Sequence, residues 1–190
     1  MADTNNKVQQ AENEMDDVIK RRVYGNGATE MTEELRLKMI EILGSCKDMV
    51  LSTIREDGWP QANTLGFVSM EENIYFETFR TSSKAKNIAR DNRISLAISP
   101  FYENVANGCG ISLAGYAEEV TDEATANECS RLLLEKMPEI ADITYNDGEP
   151  VFPDPNIIKF RIHPTVISIL DFEKGFGHAD LVVVGDDSIK

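Results

Sequence analysis

Hydrophobic and polar positions alternate with a period of two in several short segments of this chain. In the segment 74–79 (IYFETF), Ile74, Phe76 and Thr78 fall on one face, as in a half-buried strand. Comparable segments lie at residues 49–54, 60–68, 94–99, 110–120, 157–162, 165–171 and 181–184. Strands so closely spaced in sequence predict an antiparallel meander.

Turn and bulge signals separate these segments. Glu56–Gly58 contains the Asp-Gly pair that favours tight hairpins, and His163–Pro164 separates the last two long segments. Gly115, inside the segment 110–120, indicates a bulge or a close backbone approach. The predicted fold class is therefore mainly β, a closed antiparallel barrel of six or seven strands with inserted helices.

Helical periodicity appears three times, over about 32–44, 82–92 and 122–137. Thr32 and Asp122 are suited to cap the first and third helices, and Gly44 to end the first. We expect an arm over residues 1–30, a single domain over 31–185 and a short tail over 186–190. The loop 138–155, rich in Pro, Asp and Gly, is long for a compact domain.

The second helix follows the 74–79 strand directly, and its start is the most informative feature of the sequence. Ser82 or Ser83 can cap it, and its first N–H groups together with Lys84 suit a phosphate. Five basic residues and one acid lie between Arg80 and Arg93, in a chain of net charge −14. A solvated basic helix is the alternative reading.

Composition limits the partners and the location. The negative charge argues against nucleic acid or an anionic membrane as partner, and no apolar run approaches the about 18 residues of a membrane span. The polar, acidic N-terminus is unlike a signal peptide. Three separated cysteines and two histidines offer no zinc-type spacing, so we expect a cytoplasmic protein with free thiols and no metal site.

The chain contains, in order, a strand, GWPQANTLGF, a second strand and YFETFRTSSKAKNIARDNRISLAI, followed by ISLAGYAEEV. From about Met49 to Asp171, this order resembles the pyridoxamine 5'-phosphate oxidase-like FMN-binding split barrels. The resemblance implies a six-stranded split barrel that forms a homodimer, with two FMN sites at the subunit interface. By position, the resemblance places Thr78, Ser82, Ser83 and Lys84 at the phosphate or ribityl chain. It places the main chain of Asn63, Thr64 and Leu65 along the flavin ring.

The chain also departs from the authentic oxidase. Asn63 stands where that enzyme has an arginine, Ser83 where it has a second basic residue, and Gly110 where it has a glutamine. The C-terminal residues that serve flavin and substrate in that enzyme have no clear counterpart. The resemblance therefore points to a relative that does not oxidise vitamin B6, with FMN as the expected cofactor and deazaflavin or haem as alternatives.

The segment 174–180 (KGFGHAD) contains the second histidine. In the functional reading, Phe176 stacks on the partner's flavin and His178 donates a hydrogen bond or proton; the alternative is a polar turn. No residue demands a catalytic role. The expected function is an FMN-dependent oxidoreductase acting on a small molecule, with a non-catalytic flavin- or haem-binding protein and a cofactor-free interaction module as alternatives.

Overall fold

The structure is a computed structural model that describes residues 28–140, 145–146, 149–150 and 156–184. The arm expected over 1–30 and the tail over 186–190 lie outside these residues, apart from residues 28–30. The part of the loop 138–155 that is described contains two short paired strands, Tyr145–Asn146 and Glu149–Pro150.

The described elements are listed here in chain order. The strands are β1 Ala28–Thr29, β2 Asp48–Ile54, β3 Pro60–Gly66, β4 Val68–Met70, β5 Asn73–Phe79, β6 Arg93–Ile98, β7 Cys109–Glu119, β8 Tyr145–Asn146, β9 Glu149–Pro150, β10 Ile157–Asp171 and β11 Ala179–Val183. The α-helices are α1 Glu33–Ser45, α2 Ser83–Arg90 and α3 Glu123–Lys136, and two 3₁₀ turns span Val105–Asn107 and Phe172–Lys174.

One large sheet has the strand order β1-β11-β10-β7-β6-β2-β3, with β5 bonded to β10 and β4 to β5. Along one edge, β10 pairs with β7 over nearly its whole length. Along its other edge, β10 pairs with β5 through its first half and with β11 through its second half. The sheet therefore divides at β10, which is the architecture of a split barrel. The six antiparallel strands of six residues or more are β2, β3, β5, β6, β7 and β10, and the predicted fold class is confirmed.

Two strand boundaries differ from the sequence prediction. The segment 60–68 is divided at the fully buried Phe67 into β3 and β4. His163–Pro164 does not separate two strands, because β10 runs through it as one strand. A register shift between Pro164 and Val166 accommodates the proline, which can lie in a sheet at a bulge.

Gly115 lies opposite this bulge and confirms the predicted close approach. A Cβ atom on Gly115 would stand 2.1 Å from the carbonyl oxygen of His163. Any side chain at position 115 would therefore collide with the backbone of β10 at the bulge.

The three helices pack against strands of the barrel. The Oγ1 of Thr32 accepts a hydrogen bond from the N–H of Leu35, and Asp122 caps α3 in the same way, as predicted; α1 runs one residue past Gly44. Leu35, Met39, Ile42 and Leu43 bury one stripe of α1 against the barrel core. α2 lies against β2 and β5, which brings its N-terminus to the end of β5.

Candidate functional site

The junction between β5 and α2 is built by local hydrogen bonds. Ser82 has extended backbone angles, φ −65° and ψ 153°, and its Oγ accepts from the N–H of Ala85 at 3.2 Å. The N–H of Ser82 donates to the carbonyl of Phe79 at 2.9 Å. Ser82 is therefore the N-cap, and Ser83 is the first helical residue.

Three side chains meet at this junction. The Nζ of Lys84 donates to the Oγ1 of Thr78 at 3.1 Å, and that hydroxyl donates to the Oγ of Ser82 at 3.1 Å. Since the Ser82 oxygen accepts from both Thr78 and Ala85, its own hydrogen is available to another acceptor. The three predicted residues Thr78, Ser82 and Lys84 thus form one connected cluster.

The Lys84 ammonium is half-buried in this cluster. Burial lowers its pKa below the ordinary value of 10.5, and no charged neighbour contributes to the shift. Within the described part of the chain, Lys84 forms no ion pair with a carboxylate. A partly desolvated cation beside the positive end of a helix is favourable for an anion.

A second polar cluster fixes α2 against the sheet. The Nδ2 of Asn87 donates to the Oγ1 of Thr53 at 3.0 Å and to the Oε1 of Gln61 at 3.4 Å. Asn87 and Thr53 are 6% and 1% exposed. The sequence analysis did not assign a role to Thr53 or Gln61. The only sequence signal was a polar residue, Asn87, beside Ile88 on the apolar side of a short helix.

The three predicted residues of β3 are divided between two faces. Asn63 pairs with Leu51 and Leu65 with Met49, so their side chains share the inner face of the sheet, whereas Thr64 pairs with Val50 on the exposed face. The Oδ1 of Asn63 is buried and has no hydrogen-bond partner among the described residues. Leaving a buried acceptor unsatisfied costs about 1–3 kcal/mol, so this oxygen suits a ligand donor.

Ser83 faces an open cleft between α2 and the turn that joins β2 to β3. The cleft has a volume of about 680 Å³, and its lining includes Arg55, Gln61, Lys86 and Arg90. A second cleft of about 760 Å³ lies on the other side of α2, between the helix and the ends of β7 and β10. Arg80 and Arg93 at its rim are paired, with Arg80 Nη2 2.8 Å from Glu119 Oε1 and Arg93 Nη2 2.6 Å from Asp91 Oδ2, whereas Lys86 and Arg90 line both clefts.

Phe176 and His178 lie far from this cluster within one chain. Thr78 pairs with Ile158 near the start of β10, whereas the turn that holds both residues follows the end of β10. Ile158 and Leu170 are twelve positions apart on β10, which is at most about 40 Å at 3.3 Å per residue. The structure therefore does not bring Phe176 and His178 together with Lys84 in the same subunit.

The turn itself is well connected. The ring of Phe176 is 83% exposed and lies 5.0 Å from that of Phe172. The Nε2 of His178 is 3.1 Å from the Oδ2 of Asp180, and Lys174 contacts both Asp180 and Glu34. Burial alone raises the pKa of Asp180, but the hydrogen bonds from His178 and Lys174 outweigh it, and the pKa is lowered.

The described residues contain neither a metal-type cluster nor a membrane-spanning helix. His, Cys, Asp and Glu side chains there form no group of three or more that could hold a metal ion. None of the helices in the same residues is long and apolar enough to cross a membrane.

Comparison with known proteins places this geometry in a family. The family model described as pyridoxamine 5'-phosphate oxidase matches residues 35–165, a range that includes the whole Thr78–Ser82–Lys84 cluster. A search of curated proteins found no match.

Three solved structures show the same fold at low identity. The conserved hypothetical protein Rv2991 from Mycobacterium tuberculosis is 23% identical, with a TM-score of 0.63 over 85% of this chain and 97% of that one. A heme binding protein from Mycobacterium smegmatis is 17% identical, with a TM-score of 0.62 over 82% of this chain and 60% of that one. General Stress Protein 26 from Bacillus anthracis is 22% identical, with a TM-score of 0.52 over 72% and 94%.

Proposed function

The chain belongs to the pyridoxamine 5'-phosphate oxidase family, and on that premise we propose that it is an FMN-binding oxidoreductase that acts on a small molecule in the cytoplasm. The observation behind the proposal is the half-buried Lys84 ammonium, which contacts Thr78 at 3.1 Å and has no carboxylate partner in the described residues. This arrangement fits a phosphate that is held at the N-terminus of α2.

The residues present fit the cofactor in three respects. Lys84 supplies a positive charge, and Ser82 supplies a hydroxyl hydrogen for a phosphate oxygen. Burial of the Asn63 Oδ1 without a partner leaves an acceptor for a donor such as a ribityl hydroxyl. When bound, flavin supplies the electron-transfer chemistry, and the protein holds and orients it and excludes water.

We also propose that two chains associate through the exposed face of β2, β3, β6 and β7. In this face, small side chains lie opposite one another across the strands: Val50 pairs with Thr64 and Ala97, and Ala97 pairs with Ser112. All four are exposed, Val50 by 42%. Such a surface of small, exposed side chains suits close contact with a second copy.

A homodimer would also give Phe176 and His178 a route to the cofactor site. They follow the end of β10 in their own subunit, whereas Thr78 and Lys84 lie near its start, so we expect contact with the cofactor to come from the other subunit. Ser83 and the main chain of Thr64 and Leu65 complete the proposed flavin surface.

Haem binding without turnover is the second candidate. Each histidine is paired with a carboxylate, His163 with Glu118 at 2.7 Å and His178 with Asp180 at 3.1 Å. A carboxylate at one ring nitrogen orients the other toward a metal, and His178 is the more exposed of the two side chains.

An absorbance spectrum of the purified protein, recorded before and after incubation with FMN and desalting, tests the proposal. Retained flavin bands, followed by bleaching with a nicotinamide donor and return of the bands with an acceptor, would support the oxidoreductase. Retained flavin without turnover would leave only a binding protein. A Soret band after incubation with haemin would favour the second candidate, and a protein that stays colourless with both would leave the interaction module.

A further inference from the structure

The cleft between α2 and the β2–β3 turn extends well past the Lys84 cluster. We propose that this cleft binds the diphosphate group of a nucleotide, so that the anion site continues along α2 from Ser83 to Arg90. The proposal rests on the proposed phosphate site at the start of α2, and it identifies a second, more extended ligand group there.

The dimensions of the cleft exceed those of one phosphate. Ser83 and Arg90, at the two ends of α2, both line it, and seven helical residues span about 10 Å. The volume of about 680 Å³ is many times the roughly 30 Å³ that one water occupies in the liquid. A monophosphate at Ser83 would therefore leave most of the cleft unfilled.

The charges along the cleft favour an anion. Arg55 is paired with Asp57 at 2.6 Å, and the arginines outside the cleft, Arg80 and Arg93, are also paired. Lys86, by contrast, forms no ion pair within the described part of the chain. Two acids, Glu56 and Asp57, also line the cleft. Asp57 is paired with Arg55, so Glu56 is the acid that opposes the proposal.

Arg90 is held in place by a neutral acceptor, and it forms no ion pair with a carboxylate among the described residues. Its Nη2 donates to the carbonyl of Ile54 at 2.5 Å, which fixes the guanidinium at the wall of the cleft. Lys86 and Arg90 are four residues apart, so their Cβ atoms are about 5–6 Å apart on one side of α2. Two cations on one side of the helix match two linked phosphate groups better than a single one, because each phosphate can have its own cation.

Titration calorimetry of the full-length protein with inorganic pyrophosphate and with inorganic phosphate tests the inference. We expect pyrophosphate to bind about tenfold more tightly than phosphate, the effect of one added charge-assisted contact. Lys86→Glu should remove that preference and change phosphate affinity little. The matched control is Lys47→Glu, because Lys47 is an exposed lysine that pairs with Glu139, outside the cleft.

Equal affinities for the two anions, absence of pyrophosphate binding, or equal losses in Lys86→Glu and Lys47→Glu would each overturn the inference. These titrations contain no flavin. If pyrophosphate binds as expected but flavin does not bind, the proposed function is wrong and the diphosphate site stands. If flavin binds but pyrophosphate shows no preference over phosphate, the diphosphate site is wrong and the proposed function stands.

The source of the diphosphate is decided by two further measurements. If FAD binds more tightly than FMN, and Lys86→Glu abolishes the difference, the diphosphate belongs to the flavin cofactor. If FAD gains nothing but NADPH displaces pyrophosphate from FMN-loaded protein, it belongs to the electron donor. If neither nucleotide competes with pyrophosphate, the nucleotide assignment is wrong.

Discussion

The Nζ of Lys84 and the Oγ1 of Thr78 lie 3.1 Å apart, and this contact joins the start of α2 to the end of β5. Thr78 is nearly buried and Lys84 is half-buried. The ammonium is therefore directed at the junction and not extended into water. Long lysine side chains on a surface helix usually keep the charged end in solvent, so this orientation distinguishes Lys84 from Lys86 on the same helix.

Replacing Lys84 with alanine should weaken FMN binding about ten- to a hundredfold. A lost charge-assisted contact costs about 1.5–3 kcal/mol, while folding should change little because Lys84 forms no ion pair within the described residues. Quenching of flavin fluorescence on binding measures the affinity. Lys47→Ala, outside the site, serves as the control, and unchanged affinity in Lys84→Ala would place the phosphate site elsewhere.

FMN affinity should decrease as the pH rises toward 10. Burial lowers the Lys84 pKa below its ordinary value of 10.5, so the ammonium loses its proton earlier than an exposed lysine does. The phosphate, with a second pKa of about 6, is already fully charged in this range. Raising the pH therefore removes the cation and leaves the anion unchanged.

Lys84→Arg separates this cause from general alkaline effects, because an arginine stays protonated throughout. Its FMN affinity should be flat over the range in which that of the wild type declines. Parallel declines in the two proteins, measured by the same fluorescence titration, would show that Lys84 is not the titrating group.

Asn87→Ala should destabilise the fold by about 1–3 kcal/mol. The change leaves the buried Thr53 hydroxyl and the Gln61 oxygen without the donor at 3.0 and 3.4 Å, and unsatisfied buried polar groups cost about this much. Urea denaturation followed by circular dichroism gives the free energy of unfolding. The exposed Asn92→Ala is the control, and equal stability of the two variants would mean that the Asn87 contacts contribute nothing net.

Gly115→Ala and Gly44→Ala should change stability in opposite directions. At Gly115 the new methyl group would stand 2.1 Å from the His163 oxygen, and such overpacking typically costs about 1–3 kcal/mol. At Gly44, in α1, a Cβ meets nothing within 4 Å, and Ala is favoured in a helix by about 0.5–1 kcal/mol. Paired urea melts measure both, and a neutral Gly115→Ala would contradict the close approach.

Ala97→Arg should convert a dimer into monomers if the exposed face of β2, β3, β6 and β7 joins two chains. Ala97 pairs with Val50 and Ser112 in the middle of that face, so a long charged side chain would prevent close contact. Light scattering after gel filtration measures the mass. Ala124→Arg, on exposed α3, is the matched control, and a dimer that tolerates Ala97→Arg must use another surface.

Short-range features of this protein were predictable from sequence. The alternation in 74–79 predicted the strand, and Ser82 or Ser83 was predicted to cap α2; the structure has Ser82 as the cap, bonded to Ala85 three residues away. The family resemblance then indicated Thr78 and Lys84, six residues apart in the chain. Each of these contacts is formed within one turn or one junction, where local geometry leaves few alternatives.

Other features depend on segments that are distant in the sequence. Asn87 meets Thr53 and Gln61, which are 34 and 26 residues away, only because α2 lies against β2. His163–Pro164 was predicted to separate two strands. Instead, β10 continues through it, paired with β7, with a bulge opposite Gly115. A local turn preference can be overridden by the hydrogen bonds of two neighbouring strands.

The sequence by itself determined the mainly β class and the capped, basic start of α2, because periodicity and capping act over a few residues; the family resemblance added Thr78. Only the tertiary structure decided that Asn63 and Thr64 face opposite sides, that Lys84 has no acidic partner in the described residues, and that Phe176 and His178 lie at the far end of β10. Those features follow from strand register and from the packing of distant segments, which a local pattern of residues does not determine.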